Sequence, residues 1–366
     1  MLLNSIKLTI FSSLILIFST TLFAGSFELM SFNVENLFDN EHDPEHLDWE
    51  YLPKTHPLKR RGCQTISNNH FRKKCLKTDW SPEVLNAKLD ALAMVIKREG
   101  RQLPDLIGLM EVENKAVIEQ LLQRIGKYKV LITSGSDGRG INVALLVKEG
   151  SGLNIINRRE LVVDDFYLKK PTRNVLEVTL KTNTNETVKV YVNHWPSQGN
   201  PTSDRLAVAQ MVSDQVTIND MQGVHSIVIG DLNSTSKERP HPVDDLLVRS
   251  ATDMVDVQTE FMNSFEISDD QKESIPPSAY FYYKGRTWNK LDRILVSRSL
   301  ADKQGMDVSL QSFDIYAHPQ ASLRQDYKSG WMVRQTRRPN RFYYDHRKNR
   351  AFGASDHFPV SITINY

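Results

Sequence analysis

The chain has 366 residues, 40% of them hydrophobic and 25% charged, and its 46 Lys and Arg against 44 Asp and Glu leave a formal charge of +2. So even a balance names no acidic partner, and no Pro/Gly/Ser-rich linker, internal repeat or low-complexity tract divides the sequence. That excludes a repeat array and points to one large domain.

In chain order, Lys7 precedes an apolar and hydroxyl run from Leu8 to Phe23 that ends at Ala24-Gly25-Ser26, the layout of a signal peptide over residues 1–24. A retained anchor is the alternative, but the run is short for a membrane span. No later stretch is apolar enough to cross a bilayer, so the processed protein, 25–366, is expected to be secreted or periplasmic, without integral membrane association, and a monomer. A strand signal over Phe27–Phe32 runs into Asn33. A basic stretch of about 53–80 follows, with Lys54, Lys59, Arg60, Arg61, Arg72, Lys73, Lys74 and Lys77. It holds the only cysteines, Cys63 and Cys75. In an oxidising compartment these favour a disulfide; a zinc site with His56 or His70 is the other reading, at a spacing that matches no common zinc pattern.

Ser81 as N-cap, Pro82 at the first helical position, and Leu85, Leu89, Leu92 and Ile96 on one face predict a helix stopped at Gly100. Strands are predicted at Asp105–Met110, ending on Glu111, and at Ile141–Val147, Asn174–Leu180 and Val188–Val192, the last ending on His194. A second helix starts at Ser203 and carries Leu206, Ala209, Val212 and Val216. Ser226–Ile229 leads into Asp231 and Asn233, and Leu291–Ser297 has Asp292 near its start. A second basic stretch, about 304–350, includes Arg334, Arg337, Arg338, Arg341, Arg347, Lys348 and Arg350, interleaved with Trp331, Phe342, Tyr343 and Tyr344. Asp356 and His357 precede the last strand, Val360–Ile364. Strands outnumber helices without strict alternation, which predicts packed sheets flanked by helices.

Polar side chains at strand termini are held by a rigid sheet, where a site can be built with precision. Phosphodiester cleavage needs phosphoryl charge neutralised, a water deprotonated and the leaving oxygen stabilised. Glu111 offers a hard oxygen ligand, with Asn33 and Asp356 to assist. His357 with an acidic partner suits a general base, and His194 a general acid.

Taken together, Ser31-Phe32-Asn33-Val34-Glu35-Asn36, Leu109-Met110-Glu111-Val112-Glu113, Val192-Asn193-His194-Trp195, Gly230-Asp231-Leu232-Asn233, Leu291-Asp292-Arg293 and Ser355-Asp356-His357 resemble, in order, the signature blocks of the DNase I-like endonuclease/exonuclease/phosphatase superfamily, here as an exported, bacterial-type member. The resemblance spans nearly the whole processed chain. It implies an α+β (α/β) fold, a four-layer α/β/β/α sandwich of two mainly antiparallel sheets. It makes Glu111 the principal ligand of Mg²⁺ (or Mn²⁺, with Ca²⁺ as a further candidate), with Asn33 and Asp356 near the metal. It gives Asp231 and Asn233 the scissile phosphate and attacking water, pairs Asp292 with His357, and assigns leaving-group protonation to His194. Arg173 and Asn193 are expected to bind substrate phosphate.

Two departures bear on substrate. Asn142 stands where some members hold the leaving-group histidine with an acid, so an amide is expected to orient His194. Glu113 takes the place of an arginine that enters the minor groove, which argues against duplex bound in that manner. The basic, aromatic stretches at 53–80 and 304–350 are read as inserts into the core fold. Basic residues interleaved with rings fit a nucleic-acid strand. The expected activity is therefore hydrolysis of DNA or RNA by an endo- or exonuclease, with a sphingomyelinase-like phospholipid or phosphoinositide phosphoesterase as the alternative.

Overall fold

The computed structural model describes residues 25–135, 137–163, 168, 170–329 and 332–366. The expected signal peptide and Trp331 lie outside these residues, as does the side chain of Arg334. In chain order the regular elements are Ser26–Leu37 (β1), Lys59–Thr65 (α1), Asn69–Lys77 (α2), Pro82–Lys97 (α3), Leu106–Val112 (β2), Lys115–Ile125 (α4), Tyr128–Ile132 (β3), Asn142–Lys148 (β4), Asn154–Leu161 (β5), Val175–Lys181 (β6), Thr187–His194 (β7), Thr202–Met221 (α5) and His225–Asp231 (β8). They continue with Val255–Asp256 (β9), Val257–Asn263 (α6), Asp269–Ser274 (α7), Tyr280–Tyr282 (β10), Thr287–Asn289 (β11), Asp292–Val296 (β12), Asp307–Ile315 (β13), Ser322–Ser329 (β14), Met332–Pro339 (β15), Tyr343–Asp345 (β16), Arg350–Phe352 (β17) and Val360–Asn365 (β18).

Two six-stranded sheets form the body, ordered β13-β18-β1-β2-β4-β3 and β5-β6-β7-β8-β12-β9. Only β1–β2 and β7–β8 run parallel within them; the other pairs are antiparallel. Alternation along the strands explains the layers. In β1, Phe27 and Leu29 enter the core between the sheets with Leu176, Val190, Ile229 and Ile362. Met30, Phe32 and Val34 face the other way, onto Leu85, Leu89, Leu92 and Ile96 of α3. On the second sheet Tyr191 and Val228 face Val208, Val212 and Val216 of α5. The result is the expected four-layer sandwich. The sheets approach closely enough that a Cβ on Gly108 would lie 2.4 Å from Ile229 Cδ1.

The first basic stretch folds as α1 and α2, joined by the Cys63–Cys75 disulfide across a sequence separation of 12. Within it Lys59 is buried and donates to the carbonyls of Trp49, Glu50 and Leu52 at 3.1, 2.9 and 2.6 Å. The second basic stretch begins later than expected. Its first part is β13, which pairs with β18 as an edge strand of the main sheet, so only the hairpins after Ile315 are additional to the sandwich. Among the described residues no helix is long and apolar enough to cross a membrane.

Candidate active site

The core between the sheets ends at one rim in polar side chains. His194, Asp231 and Asp292 are cross-strand neighbours on β7, β8 and β12: Asp231 lies opposite His194 on one side and Asp292 on the other. They share the parity of Val192, Ile229 and Ile294, so they continue the face that fills the core. Gly230 makes this possible, with φ +132° and no room for a Cβ, which would sit 1.9 Å from Asn193 O.

On the opposite sheet, alternation alone would turn Glu111 away from this rim. A register shift between Met110 and Val112 and a φ of 65° at Glu111 reverse it. Val112 consequently joins Leu109 on the outer face, and Glu111 points into the cleft. Glu35, Asn36 and Asn233 also have positive φ, at 51°, 54° and 48°. Left-handed backbone at four non-glycine residues of one site is strain of about 1 kcal/mol or more apiece, held by the surrounding fold.

The geometry brings most of the expected residues together around a cleft of about 840 Å³, lined by Glu111, Arg173, His194, Asp231, Asn233, Asp356 and His357. His357 Nδ1 is 2.7 Å from Asp292 Oδ2, and its Nε2 is 3.8 Å from both Asp231 Oδ2 and Asp356 Oδ1. His194 Nε2 is 3.7 Å from Glu111 Oε1 and 3.8 Å from Asp231 Oδ2. Asn33 Nδ2 donates to Glu111 at 3.2 Å and Asp231 at 3.0 Å, while its Oδ1 accepts from Glu35 N at 3.0 Å. In this arrangement the Asn33 amide lies between the Glu111 and Asp231 carboxylates. Asn233 is tied to Asp231 through its backbone N–H at 3.0 Å and to Trp195 O through its amide at 3.1 Å.

The two histidines differ in electrostatics. Burial opposes charge on His357, but Asp292, Asp231 and Asp356 outweigh it and hold the ring well above the ordinary histidine range. His194 is held well below that range by burial and by Arg173, Arg139 and His357, so it is neutral at neutral pH. Burial raises Asp231, with Asp292 adding to the effect. Asp356 is pushed up to about 7 by burial and by Glu35 and Glu111.

Three expectations change. Asn193 does not reach the cleft: it is fully buried, donates to Tyr191 O at 2.9 Å and Ile229 O at 3.3 Å, and accepts from Trp195 Nε1 at 2.9 Å, so its amide braces the parallel pair β7–β8. Asn142 does not orient His194, because its amide donates to Glu113 O and Gly140 O and accepts from Thr133 and Gly135. His194 Nδ1 is buried without a partner. Glu113 turns inward, accepting from Asp39 N at 2.8 Å, and presents no repulsive charge to a substrate phosphate.

Other residues were not legible beforehand. Arg139, half exposed on the loop before β4, shares the Asp137 carboxylate with Arg173, at 3.4 and 3.3 Å, and lines the cleft beside Lys237. Arg173, which the sequence did single out, is buried, donates to Trp195 O at 2.7 Å and keeps a buried Nε without a partner. Tyr280, Tyr282 and Trp288 supply rings to the same cleft, Tyr280 packing 4.7 Å from the His357 ring. The sequence signal for Arg139 is only a charged residue between two glycines in an inter-strand loop.

Among the described residues no group of three or more His, Cys, Asp or Glu is placed to cage a metal. The donors nonetheless fit a hard cation that keeps several waters. Glu111 and Asp356 present carboxylates to the cleft, and Asn36, whose N–H donates to Glu111 Oε2 at 3.0 Å, carries a buried Oδ1 without a partner.

Residues 28–366 match the model of a family described as "Endonuclease/Exonuclease/phosphatase family". Among solved structures, an endonuclease/exonuclease/phosphatase family protein from Bacteroides thetaiotaomicron aligns at TM-score 0.53 and 12% identity, over 93% of this chain and 95% of that one. A mannosyl-6-phosphatase from the same organism aligns at 0.51 and 12%, covering 93% and 100%. TDP2 from C. elegans aligns at 0.53 and 14%, covering 96% and 78%. At such identities the likeness establishes the fold. No curated protein matches the chain.

Proposed function

Because the chain belongs to the endonuclease/exonuclease/phosphatase family of phosphoesterases, we propose that it is an exported, divalent-metal-dependent phosphodiesterase that hydrolyses nucleic acid. The observation that carries the substrate class is the flank of the cleft. Arg139, Arg173 and Lys237 line the cleft together with Tyr280, Tyr282 and Trp288, so phosphates meet cations while bases meet rings. The Cys63–Cys75 disulfide supports export, since such bonds persist in oxidising compartments.

A divalent cation, with Mg²⁺ first and Mn²⁺ or Ca²⁺ as alternatives, would be held by Glu111 and Asp356 with Asn36 beside them, would neutralise phosphoryl charge and would offset the carboxylates that keep His357 protonated. The protein's own groups do the rest. Arg173 and Asn233 seat the phosphate. Asp292 fixes Nδ1 of His357, so that Nε2 takes a proton from the attacking water as the new P–O bond forms. The ester P–O bond breaks on the opposite side. Neutral His194 stabilises the departing oxygen as a hydrogen-bond donor, a role its low basicity suits better than full proton transfer. The reading is tested by metal-dependent cleavage of DNA and RNA oligonucleotides, present in the native chain and lost in His357→Ala.

A further inference from the structure

A second cleft, of about 550 Å³, lies next to the proposed metal ligands: of the residues lining it, Asn36 donates its N–H to Glu111 Oε2 at 3.0 Å and Arg341 pairs with Asp356. One wall is the end of α2 and the turn after it, with Lys77 and Trp80; the other is the β16–β17 hairpin, with Phe342 and Tyr343. The hairpin is fixed to the active site itself. Arg341 pairs with Glu35 at 2.6 Å and Asp356 at 3.1 Å, and Phe342 N donates to Glu35 Oε2 at 3.1 Å. The opposite wall is held by the disulfide, which bonds α2 to α1.

The interior is aromatic. Tyr51 stacks on Phe38 with centroids 4.0 Å apart and meets Trp80 edge-on at 5.4 Å, and Trp80 meets Phe342 edge-on at 6.0 Å. Against this box Tyr343 stands 62% exposed, a large flat ring that the fold does not bury. Lys77 is exposed at the rim and has no ion pair among the described residues, whereas Arg341 is already shared between two carboxylates. An aromatic slot with an available cation, whose lining residues Asn36 and Arg341 touch Glu111 and Asp356, matches a planar base carried on a phosphate.

We propose that this slot takes the nucleobase adjoining the scissile phosphate, stacked on Tyr343, with Lys77 near the next phosphate of the strand. The inference rests on the nuclease reading and adds to it a specific position: the inserts choose substrates that carry a base on the metal side of the cleaved bond. Stacking on an exposed ring is tolerant of base identity, so the slot confers a demand for a base rather than for a sequence.

The test uses p-nitrophenyl phosphodiesters of thymidine 3′- and 5′-phosphate, each beside its base-less deoxyribose counterpart, with the purified native protein, Tyr343→Ala and Tyr343→Phe. The expected result, for one of the two orientations, is a KM about tenfold lower with the base present, a preference that Tyr343→Ala removes and Tyr343→Phe retains. If native enzyme handles both members of each pair alike and Tyr343→Ala changes nothing, the slot is overturned while the nuclease reading stands. If Tyr343→Ala weakens base-bearing and base-less diesters equally, the ring contacts the sugar and the nucleobase assignment is wrong. Turnover of none of these diesters, nor of DNA or RNA, overturns both readings.

Discussion

His357 Nδ1 lies 2.7 Å from Asp292 Oδ2, joining a residue just before β18 of one sheet to the first residue of β12 in the other. The pair spans the sandwich at its polar rim. Asp292 keeps its second oxygen buried without a partner, so its charge is directed at the imidazole.

The pH profile should therefore respond to Asp292. A base held protonated by neighbouring carboxylates becomes active only as pH rises through its raised pKa. Asp292→Asn removes the leading contribution to that rise, so the acid limb of kcat/KM should move to lower pH while kcat falls on the order of a hundredfold. A lower rate with an unmoved limb would assign that limb to another group.

Lys88 supports the site from beneath. It is fully buried on α3, donates to Ala354 O at 2.7 Å, and burial brings its pKa down to about 8. Lys88→Met would leave that carbonyl unpaired two residues before Asp356. The expected outcome is a loss of about 1–3 kcal/mol in stability and a fall of roughly tenfold in kcat, measured by thermal unfolding and initial rates. A lower Tm with unchanged kcat would limit Lys88 to a structural role.

Glu113 gives a pH-dependent stability with a defined sign. Burial, with Asp39 beside it, raises its carboxyl to about 9, far above the ordinary 4.5. The folded state therefore keeps a proton that the unfolded chain releases, and stability declines from pH 4.5 towards 9 by about 1 kcal/mol per pH unit on this account. Glu113→Gln should be more stable than the native chain, by a margin that grows between pH 5 and pH 8 in denaturant titrations, where about 1 kcal/mol is resolved. An equal margin at both pH values would mean that Glu113 is ionised in the fold.

The strands were legible where apolar runs were uninterrupted, and the site was legible because its polar residues terminate those runs: Asn33, Glu111, His194, Asp231 and His357. The helices were legible through periodicity and capping, though α3 stops at Lys97 rather than at Gly100. What escaped depends on partners distant in sequence. β5 is a polar edge strand with little apolar alternation, and β13 lies in a basic stretch whose pairing with β18 gives no local signal. Asn193 is consumed by a neighbouring strand, Glu113 by Asp39, and Lys59 by three carbonyls. Side-chain type alone cannot distinguish a buried polar group with partners from one held ready for substrate.

The most direct test of the account is incubation of the purified protein with single-stranded DNA, duplex DNA, RNA and sphingomyelin, each with Mg²⁺ or Mn²⁺ and with chelator, beside His357→Ala. Nucleic-acid cleavage should need the metal and disappear in the variant. Inert nucleic acids with lipid turnover, or cleavage undiminished in purified His357→Ala, would contradict it.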